Sequence, residues 1–499
     1  MRTSIKASLV SASVASLLGS AAHALPPANW ADGQIHVFYS GGGIDTAQAV
    51  YSAVASLLSP SSIDVYTDGT GTARHPESLN YLIVSGKLGA AMGTLPVGSE
   101  IGFMYKYDGG SLVNGAIPQY GSTPLVYPTL ASLATAVSTG PVTNSGPYPS
   151  SLNPDYLYSS VTANQEVPDW GLTDEEVPLL NTAYNLDAVN QSRPIQFPSV
   201  GFHVPLFVIP YGVAVTNALF KLKQVWSASE IAAVVTGSIL NWSELNGDII
   251  SPLPSSLGHV TLLDRHSGVG TKAAGTAFFC GYPGPFACTP NSVAVTLAGN
   301  TFPNGGYTGP LNTSFPMSAT EIQDVDEPSS FSTVDDLLTA NAAGIGVLAI
   351  LALEYPPAAE QNNLNTNDYF FATINNIYPD SETGADNINS PSTTGSTRYS
   401  SIVNGLYTFA YQTVFHSHFN SSSALPAFQQ GVFLNLQSEN IAGAHTGLHF
   451  PASAQGLLLD CVTTGRTDPG NLTWSRFGSS LRVPGLTCPR VTPADADPL

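Results

Sequence analysis

The sequence predicts an α/β fold in which short strands, turns and helices follow one another along the chain. Residues 35–39 have strand character, the run Ser40-Gly41-Gly42-Gly43 interrupts them, and apolar residues at helical spacing follow up to residue 58. The same order returns over residues 260–279, and a further predicted helix ends at Gly344 before an apolar strand. Folds of this class place their binding sites at the carboxyl ends of the strands.

The first unit of the chain predicts three strands and one helix. The strand at residues 35–39 leads to a helix over about residues 46–58, and Asp45 suits the N-cap of that helix. Residues 63–66 predict a second strand, which a turn at residues 68–72 follows. Residues 88–92 predict the third strand.

The segment of residues 106–194 has a different character. It is rich in Tyr, Pro, Ser, Gly and Asn, and its hydrophobic periodicity is weak. We expect it to form a long, partly ordered insertion that lies over the surface.

Regular patterning returns near residue 195. Apolar runs predict four more strands, at residues 207–215, 260–263, 345–353 and 407–415. Ser227 and Glu230 have the spacing of a capping box that opens a helix. Further helices are predicted at residues 271–279 and from the motif formed by Ser332 and Asp335.

The N-terminus has the features of a secretory signal peptide over residues 1–24. Arg2 and Lys6 form a basic start, an apolar stretch follows through Leu18, and Ala22-His23-Ala24 fits a signal-peptidase site. No later apolar run is long enough to cross a membrane. We therefore expect a periplasmic or secreted, extracellular protein whose mature chain starts at Leu25 and has no transmembrane segment.

The composition excludes several classes of partner. Only 10% of the residues are charged while 43% are hydrophobic, which is typical of a folded, loop-rich chain. Without Arg2 and Lys6, 13 basic residues stand against 35 acidic ones, a net charge of −22. So acidic a surface repels nucleic acid and anionic membranes. An anionic ligand stays compatible with it, because backbone N–H groups and helix N-termini bind anions without net positive charge.

The four cysteines form two pairs of sequence neighbours. Cys280 lies near Cys288, and Cys461 lies near Cys488. In an exported protein this pattern suggests two local disulfides, although four cysteines allow three pairings. We expect the second pair to pin the C-terminal tail. The spacing is not that of a metal site, and we expect no metal or other cofactor.

Two turns have the composition of an anion-binding cradle. The first is Ser40-Gly41-Gly42-Gly43, and the second is Arg265-His266-Ser267-Gly268-Val269-Gly270-Thr271. Each lies between a strand and a helix, so it directs unpaired N–H groups and a helix dipole at one point. Glycine permits close approach of the backbone, and Arg265 adds a charged, bidentate donor. Either turn alone is equally compatible with an ordinary tight turn.

The order of these motifs resembles the phosphate-binding periplasmic proteins of phosphate ABC transporters and their secreted relatives, the DING proteins. The run Gly237-Ser238-Ile239-Leu240-Asn241-Trp242 is similar to a sequence motif of the family, and the second turn is similar to the family's anion-binding loop. Ala343-Gly344-Ile345-Gly346 is similar to a strand entry, and residues 41–47 occupy the place of an N-terminal Gly-rich turn. The matches run in order from residue 37 to about residue 409, outside the insertion.

The resemblance implies a two-lobed fold of the type II periplasmic-binding-protein class. It has two hinge crossings, the long insertion in lobe 1 and a disulfide-pinned C-terminal tail. The implied divisions are the signal peptide, the first segment of lobe 1, lobe 2, the return segment of lobe 1 and the tail, at residues 1–24, 25–198 (with the insertion at about 106–194), 199–372, 373–450 and 451–499. The ligand would lie in the crevice between the lobes.

The resemblance also implies the ligand and its contacts. The expected ligand is a small oxyanion, phosphate before others, and the expected partner is an ABC-transporter permease. Arg265 would supply charge, while the other residues supply backbone or hydroxyl donors. We predict ligand-binding roles, and no catalytic ones, for Gly42, Gly43, Asp45, Thr46, Thr70, Thr72, Thr94, Arg265, Gly270 and Thr271.

The chain departs from the family at several of these places. In the second turn, Ser267 replaces an Asp and Val269 replaces a Ser. Gly93 and Thr94 stand where the family has an Asp that accepts the proton of hydrogen phosphate, and Asp45 replaces a Thr. Two hypotheses stay open. Either the accepting carboxylate has moved to Asp45, or Asp45 only caps its helix and the site lacks an acceptor.

Three functions stay open at this point. We favour capture of phosphate or a related oxyanion for uptake. The alternatives are a secreted phosphoesterase that uses the same anion site and a surface protein that has lost the ligand. The sequence has no G-x-S-x-G motif that would supply the nucleophile of an esterase. His445 and His449 have the spacing of two zinc ligands, but the Glu of a zinc protease does not follow the first of them.

Overall fold

The computed structural model describes about half of the chain in separate ranges. These are residues 26–71, 76–140, 153–159, 162–175, 180, 201–235, 239–245, 257–265, 269–279, 295–297, 300–302, 323–327, 329–353, 355, 368–377, 379, 407, 409–437 and 450–451. The signal peptide, the four cysteines, Thr72 and the pair His445 and His449 lie outside these ranges. Those expectations therefore stay predictions.

The described residues form twenty strands and eight α-helices. The strands are β1 His36–Gly41, β2 Asp64–Thr67, β3 Tyr81–Lys87, β4 Glu100–Lys106, β5 Leu125–Pro128, β6 Val137–Ser138, β7 Tyr156–Leu157, β8 Thr162–Glu166, β9 Trp170–Thr173, β10 Phe202–Thr216, β11 Val225–Trp226, β12 Thr261–Arg265, β13 Val295–Leu297, β14 Asn300–Phe302, β15 Gln323–Glu327, β16 Val347–Ala352, β17 Tyr369–Phe371, β18 Thr373–Ile374, β19 Ala410–Ser417 and β20 Phe450–Pro451. The helices are α1 Ala47–Ala55, α2 Ile117–Gly121, α3 Leu130–Ala134, α4 Asn217–Leu222, α5 Ala228–Val235, α6 Gly270–Phe279, α7 Ser330–Ala342 and α8 Ala427–Leu436. A π-helical turn at Leu112–Ala116 precedes α2, and a 3-10 turn at Ile44–Thr46 precedes α1.

Fourteen of the strands join in one hydrogen-bonded sheet. Its main order is β15-β12-β16-β10-β19-β9-β1-β4-β3-β2-β7-β6, and β17 and β20 also pair with β10. The long strand β10 belongs to two parts of this sheet. Its residues 202–210 pair with β19, and its residues 211–216 pair with β16 and β17. We call one group of strands the first half-sheet: β19, β9, β1, β4, β3, β2, β7 and β6. The second half-sheet consists of β15, β12, β16 and β17.

The strand directions make the carboxyl ends of the two half-sheets face each other. In the first half-sheet, β1 is parallel to β4 and β9. Strand β10 runs in the same direction, because it and β9 are both antiparallel to β19. In the second half-sheet, β16 is antiparallel to β10, and β12 is parallel to both β16 and β15. The turns after β1, β9, β12 and β15 therefore point toward one region, where α/β folds bind ligands.

Helix α1 covers the first half-sheet because its apolar residues recur on one face. Val50, Ala53 and Val54 are fully buried, and α1 packs beside α8, which buries Phe428 and Val432. These side chains join the large apolar cluster that runs through both half-sheets. Burial of apolar surface stabilises a fold by about 25 cal/mol per Å². The buried face of α1 therefore holds the start of this helix beside the end of β1.

Several predicted elements are confirmed. The strands β1, β2, β12 and β16 and the helix α6 lie within two residues of their predicted bounds, while β10 starts five residues earlier than predicted and α1 ends three residues earlier. The capping box at Ser227 and Glu230 is present. The Ser227 N–H donates to Glu230 Oε2 at 2.8 Å, and the Glu230 N–H donates to Ser227 Oγ at 3.2 Å.

Two local predictions are wrong. Residues 88–92 are not a strand but the start of the connection from β3 to β4, and Gly93 within it has a φ of +57°. The buried strand lies earlier, in β3, whose residues up to Gly86 are all buried. Helix α7 begins at Ser330 instead of near Ser332, because Ser329 caps it by accepting from the Ser332 N–H at 3.0 Å.

The expectation that residues 106–194 lie only over the surface is also wrong. Strand β9 comes from this segment and lies between β1 and β19 inside the main sheet. Trp170 and Leu172 are fully buried there. The π-helical turn packs on the backbone of β9 through glycine, since a Cβ on Gly115 would stand 2.1 Å from the Leu172 carbonyl oxygen. The segment therefore supplies part of the core.

Among the described helices, none combines the length and apolar character that a membrane crossing requires.

Candidate anion-binding site between the two half-sheets

Five polar side chains converge where the two half-sheets face each other. Asp45 follows β1, and Asp174 follows β9. From the second half-sheet, Arg265 ends β12, Thr271 lies in the first turn of α6, and Ser330 is the first residue of α7. All five are at most 3% exposed. The topology thus brings together residues that lie up to 285 positions apart in the sequence.

Asp45 reaches across to the second half-sheet. Its Oδ2 accepts a hydrogen bond from Thr271 Oγ1 at 2.7 Å, and its Oδ1 accepts one from Ser330 Oγ at 2.9 Å. No side chain caps the short helical turn or α1, so the hypothesis that Asp45 only caps its helix does not hold. Tertiary donors outweigh the local capping preference, because hydrogen bonds to a buried charge are each worth about 1.5–3 kcal/mol.

Arg265 connects to Asp45 through Ser330. Its Nη1 donates to Ser330 Oγ, which in turn donates to Asp45 Oδ1. The guanidinium is buried, and its Nε has no hydrogen-bond partner among the described residues. An unpaired buried donor costs about 1–3 kcal/mol, so this nitrogen is available to an acceptor that enters the site.

Asp174 lies against both Gly-rich turns. A Cβ on Gly43 would stand 2.2 Å from Asp174 Oδ1, and a Cβ on Gly270 would stand 2.4 Å from Oδ2. Only glycine permits this approach at the two positions. Burial, and next the Asp45 carboxylate, raise the pKa of Asp174 well above its usual value, against the opposing effects of Ser111, Arg265 and the Gly270 N–H.

Further carboxyl groups surround these residues. Glu175 is fully buried, and its Oε1 accepts from the Tyr211 hydroxyl at 2.6 Å. Glu327 pairs in register with Arg265, and burial followed by a hydrogen bond with Asp336 raises the pKa of Glu327 to about 8. Arg265 is thus surrounded by more carboxyl groups than it can neutralise as anions. Some of them must carry protons, or the ligand must bring positive charge or protons of its own.

A pocket opens beside these groups. Its wall includes Gly43, Asp45 and Asp174 on one side, and Arg265, Val269 and Ser329 on the other. Tyr107 and the turn of residues 108–110 complete the rim. The pocket therefore has charged and polar atoms from both half-sheets, as an oxyanion site between them requires.

Some of the predicted site residues form hydrogen bonds within the fold and do not line the pocket. The Gly42 N–H donates to the Lys106 carbonyl at 2.9 Å, so it extends the sheet. Thr46 Oγ1 donates to the Gly43 carbonyl at 2.8 Å and forms a 2.5 Å hydrogen bond with Tyr105 Oη. Of the predicted residues Gly42, Gly43, Asp45 and Thr46, the pocket lining includes Gly43 and Asp45.

Two other predicted residues lie away from the pocket. Thr70 is exposed and stabilises its own turn, where its hydroxyl donates to Asp68 and accepts from the Leu79 N–H at 2.9 Å. Thr94 is exposed in the connection between β3 and β4, at the end of the first half-sheet opposite to the pocket. The anchoring residues that the structure does bring together are Gly43, Asp45, Arg265, Gly270 and Thr271.

Sequence reasoning missed Asp174 and Ser330. The signal for Asp174 was present in the run Asp174-Glu175-Glu176, which directly follows the strand-like run Trp170-Gly171-Leu172-Thr173. Acidic residues at the carboxyl end of a buried strand are candidates for a site. Ser330 follows β15 in the same way, but its strand is rich in acidic residues and carries no clear apolar alternation.

Comparison with known proteins finds distant likenesses of fold only. No known family profile and no curated protein sequence matches the chain. Similar solved structures include an ABC-type phosphate transport receptor from Vibrio cholerae, with 10% identity, coverage of 56% of this chain and 79% of that chain, and a TM-score of 0.31. PstS from Borrelia burgdorferi has 9% identity, coverage of 57% and 79%, and a TM-score of 0.28.

A phosphate-binding protein from Stenotrophomonas maltophilia covers more of the chain. It is 14% identical, covers 83% of this chain and 86% of its own, and has a TM-score of 0.31. The Vibrio protein is described as a phosphate transport receptor and the Stenotrophomonas protein as a phosphate-binding protein, and the sequence motifs resemble proteins of this kind. At such TM-scores the likeness says nothing about individual site residues, and the function rests on the geometry of the pocket.

Proposed function

We propose that the pocket between the half-sheets binds a small oxyanion, with phosphate as the favoured ligand. One observation carries this proposal. The donors of the second half-sheet already hold an oxyanion group, because Thr271, Ser330 and, through Ser330, Arg265 are directed at the carboxylate of Asp45. A donor set that binds one carboxylate from the opposite half-sheet has the chemistry to bind an inorganic oxyanion beside it.

The remaining donors are suited to such a ligand. The Nε of Arg265 has no partner among the described residues, and the guanidinium is planar and always charged. Helix α6 begins at Gly270 and directs the positive end of its dipole toward the pocket. Arg265 would supply the charge, and the first turn of α6 would supply N–H donors.

Asp45 would select phosphate over sulfate. A carboxylate inside the pocket repels a fully deprotonated anion, but it accepts a hydrogen bond from an oxyanion that still carries a proton. Sulfate has no such proton at neutral pH, so the carboxylate and a sulfate oxygen would face each other as unpaired acceptors. That arrangement costs about 1–3 kcal/mol or more. This is the first of the two hypotheses that the sequence left open.

The same proposal includes the coarse organisation of the protein. The half-sheets would be the two lobes, and β10 would be one of the hinge crossings between them. The segment before residue 25 would export the chain, and a transporter permease would receive the loaded protein. Closure of the lobes would replace the hydration shell of the anion with fixed donors.

Calorimetric titration of the ligand-stripped mature protein with phosphate and then with sulfate tests the proposal. We expect phosphate binding, and a loss of roughly 100-fold or more in Arg265→Ala, because truncating one partner of a buried charged group costs about 2–5 kcal/mol. Lys272→Ala is the matched control. Lys272 forms its 2.8 Å ion pair with Asp264, and this substitution should leave the affinity unchanged.

The outcomes separate the three functions. Phosphate binding with discrimination against sulfate that disappears in Asp45→Asn supports the receptor with Asp45 as acceptor. Turnover of a chromogenic phosphate ester that depends on Arg265 would favour the phosphoesterase. Absence of heat with either anion, in protein whose folding circular dichroism confirms, would contradict the proposal and favour a surface protein.

A further inference from the structure

Asp174 belongs to the pocket but has no role in the function proposed above. It is 2% exposed, lines the pocket, and lies in contact with Gly43 from the first half-sheet and Gly270 from the second. Its Oδ1 has no hydrogen-bond partner among the described residues. A buried carboxyl oxygen in that situation is either a costly lone acceptor or a protonated group whose O–H is free to donate.

The groups around Asp174 favour the protonated form. Asp45, Glu175 and Tyr211 surround it on the first half-sheet and on β10, and Arg265 is the cation that opposes them. In the described part of the chain, several titratable, charged or polar groups face Asp174 from the packed elements or lie on the pocket rim. They are Asp45, Tyr107, Asp108, Ser111, Glu175, Tyr211, Arg265 and the Gly270 N–H. Two carboxylates this close cannot both ionise without a large cost.

We propose that Asp174 is a proton-dependent specificity residue, which as the neutral acid donates a hydrogen bond to the bound oxyanion and as the carboxylate repels it. This inference rests on the proposed function, since it assumes that an oxyanion enters the pocket. Asp45 and Asp174 then have opposite roles. Asp45 accepts hydrogen bonds from two hydroxyl donors and would accept another from the ligand, whereas Asp174 would donate one to it.

The sign of the pH dependence follows from this role. The anion stabilises the protonated form of Asp174, so binding raises the pKa of Asp174 above its value in the free protein. Below the free-protein pKa the group is already neutral, and its contribution to affinity is constant. Above it, binding must take up a proton, and the affinity falls by up to about tenfold per pH unit.

The test compares phosphate affinities of the wild-type protein and Asp174→Asn by calorimetry from pH 5 to pH 9. Asn keeps the shape and offers an N–H donor that does not titrate. Phosphate itself titrates in this range, but its contribution is common to both proteins. The ratio of their dissociation constants therefore isolates Asp174. The ratio is that of the wild-type dissociation constant to the dissociation constant of Asp174→Asn. We expect it to be close to constant at low pH and to rise by up to about tenfold per pH unit at high pH. Asp32→Asn, at an exposed position outside the pocket lining, should follow the wild type.

Two results would overturn the inference while leaving the proposed function intact. One is loss of phosphate binding in Asp174→Asn at every pH, which would make Asp174 an acceptor. The other is a ratio that stays constant from pH 5 to pH 9. Asp174→Ser, a smaller neutral donor, checks that either result does not come from misfolding and should repeat the behaviour of Asn. If neither protein binds phosphate at any pH, the proposed function itself fails.

Discussion

Ser330 connects the two charges of the pocket. Its hydroxyl accepts from Arg265 and donates to Asp45, so one oxygen orients both the cation and the carboxylate. Without it, Arg265 Nη1 and Asp45 Oδ1 each lose a partner in a buried place. Such losses cost about 1.5–3 kcal/mol at charged groups.

We predict that Ser330→Ala weakens phosphate binding roughly 10- to 100-fold, because the penalty appears in the orientation of Arg265 and Asp45. Ser332→Ala is the matched control two residues further along α7. It removes the hydrogen bond that Ser332 Oγ accepts from the Ser329 N–H at 3.1 Å, while the Ser332 N–H still donates to Ser329 Oγ, and it should lower the unfolding free energy by about 1 kcal/mol with little effect on affinity. Calorimetry and urea denaturation of both variants measure the two effects. Equal affinities in Ser330→Ala and the wild type would refute the orienting role.

The sequence could predict Arg265, Gly270 and Thr271, because they lie in one short motif between a predicted strand and helix. It could not decide the role of Asp45, since a local rule favoured capping and the deciding donors lie 226 and 285 residues away. Asp174 was not predicted at all. Its contacts with Gly43 and Gly270 exist only after three distant segments have folded together.

At the scale of elements, the pairing of β10 with β19 encloses two histidines. His203 and His416 are register partners, and their Nδ1 atoms lie 2.9 Å apart. His416 Nε2 is 2.9 Å from Thr173 Oγ1, and the Tyr120 ring packs over both imidazoles. Burial lowers the pKa of His203 from 6.5 to about 4, and burial and then His203 lower the pKa of His416 further below its usual value.

We predict that this pair makes the first half-sheet sensitive to acid. A histidine whose pKa is lower in the folded state does not reduce the unfolding free energy above pH 6.5. It reduces the unfolding free energy increasingly as the pH falls from 6.5 to about 4. For His203 the loss of unfolding free energy approaches about 3 kcal/mol, because each pKa unit corresponds to about 1.36 kcal/mol. The measurement is the unfolding free energy of the wild type and His203→Gln from pH 7.5 to pH 4.

The difference between the two proteins, and not either profile alone, tests this prediction. Carboxyl groups whose pKa burial raises, such as Glu327, change the stability in the opposite direction but act equally in both proteins. His36→Gln, at an exposed position, is the control and should keep the wild-type profile. Parallel profiles for the wild type and His203→Gln would show that the pair does not titrate as proposed.

Elements with strong periodicity were predictable, and short central strands were not. Strand β10 carries a long apolar pattern, and its prediction from the sequence is confirmed. Strand β9 has four residues, too few for a periodicity to be recognised, and a polar segment surrounds it. Its place beside β1 depends on pairing across about 130 positions, which no local pattern records.

At the scale of the whole molecule, the two half-sheets are held together by continuous backbone and by side chains in the pocket. Strand β10 runs through both half-sheets, with a register shift between Pro205 and Val208 where it pairs with β19. On the pocket side, the hydrogen bonds of Asp45 with Thr271 and Ser330 span the gap. If β10 is a hinge, these two bonds favour the closed arrangement before any ligand arrives.

We therefore predict that Asp45→Ala opens the ligand-free protein. Removal of the carboxylate leaves Thr271 and Ser330 without their acceptor across the gap, while the second half-sheet keeps its own contacts. Small-angle X-ray scattering should show a larger radius of gyration than that of the wild type. Asp108→Ala removes an exposed rim carboxylate whose 3.6 Å ion pair with Lys106 lies within the first half-sheet, and its radius should stay that of the wild type. Phosphate should compact Asp45→Ala only if Arg265 and the start of α6 still engage the anion from their side. An unchanged radius in Asp45→Ala would mean that the backbone of β10 and its neighbours, and not the pocket, sets the closed arrangement.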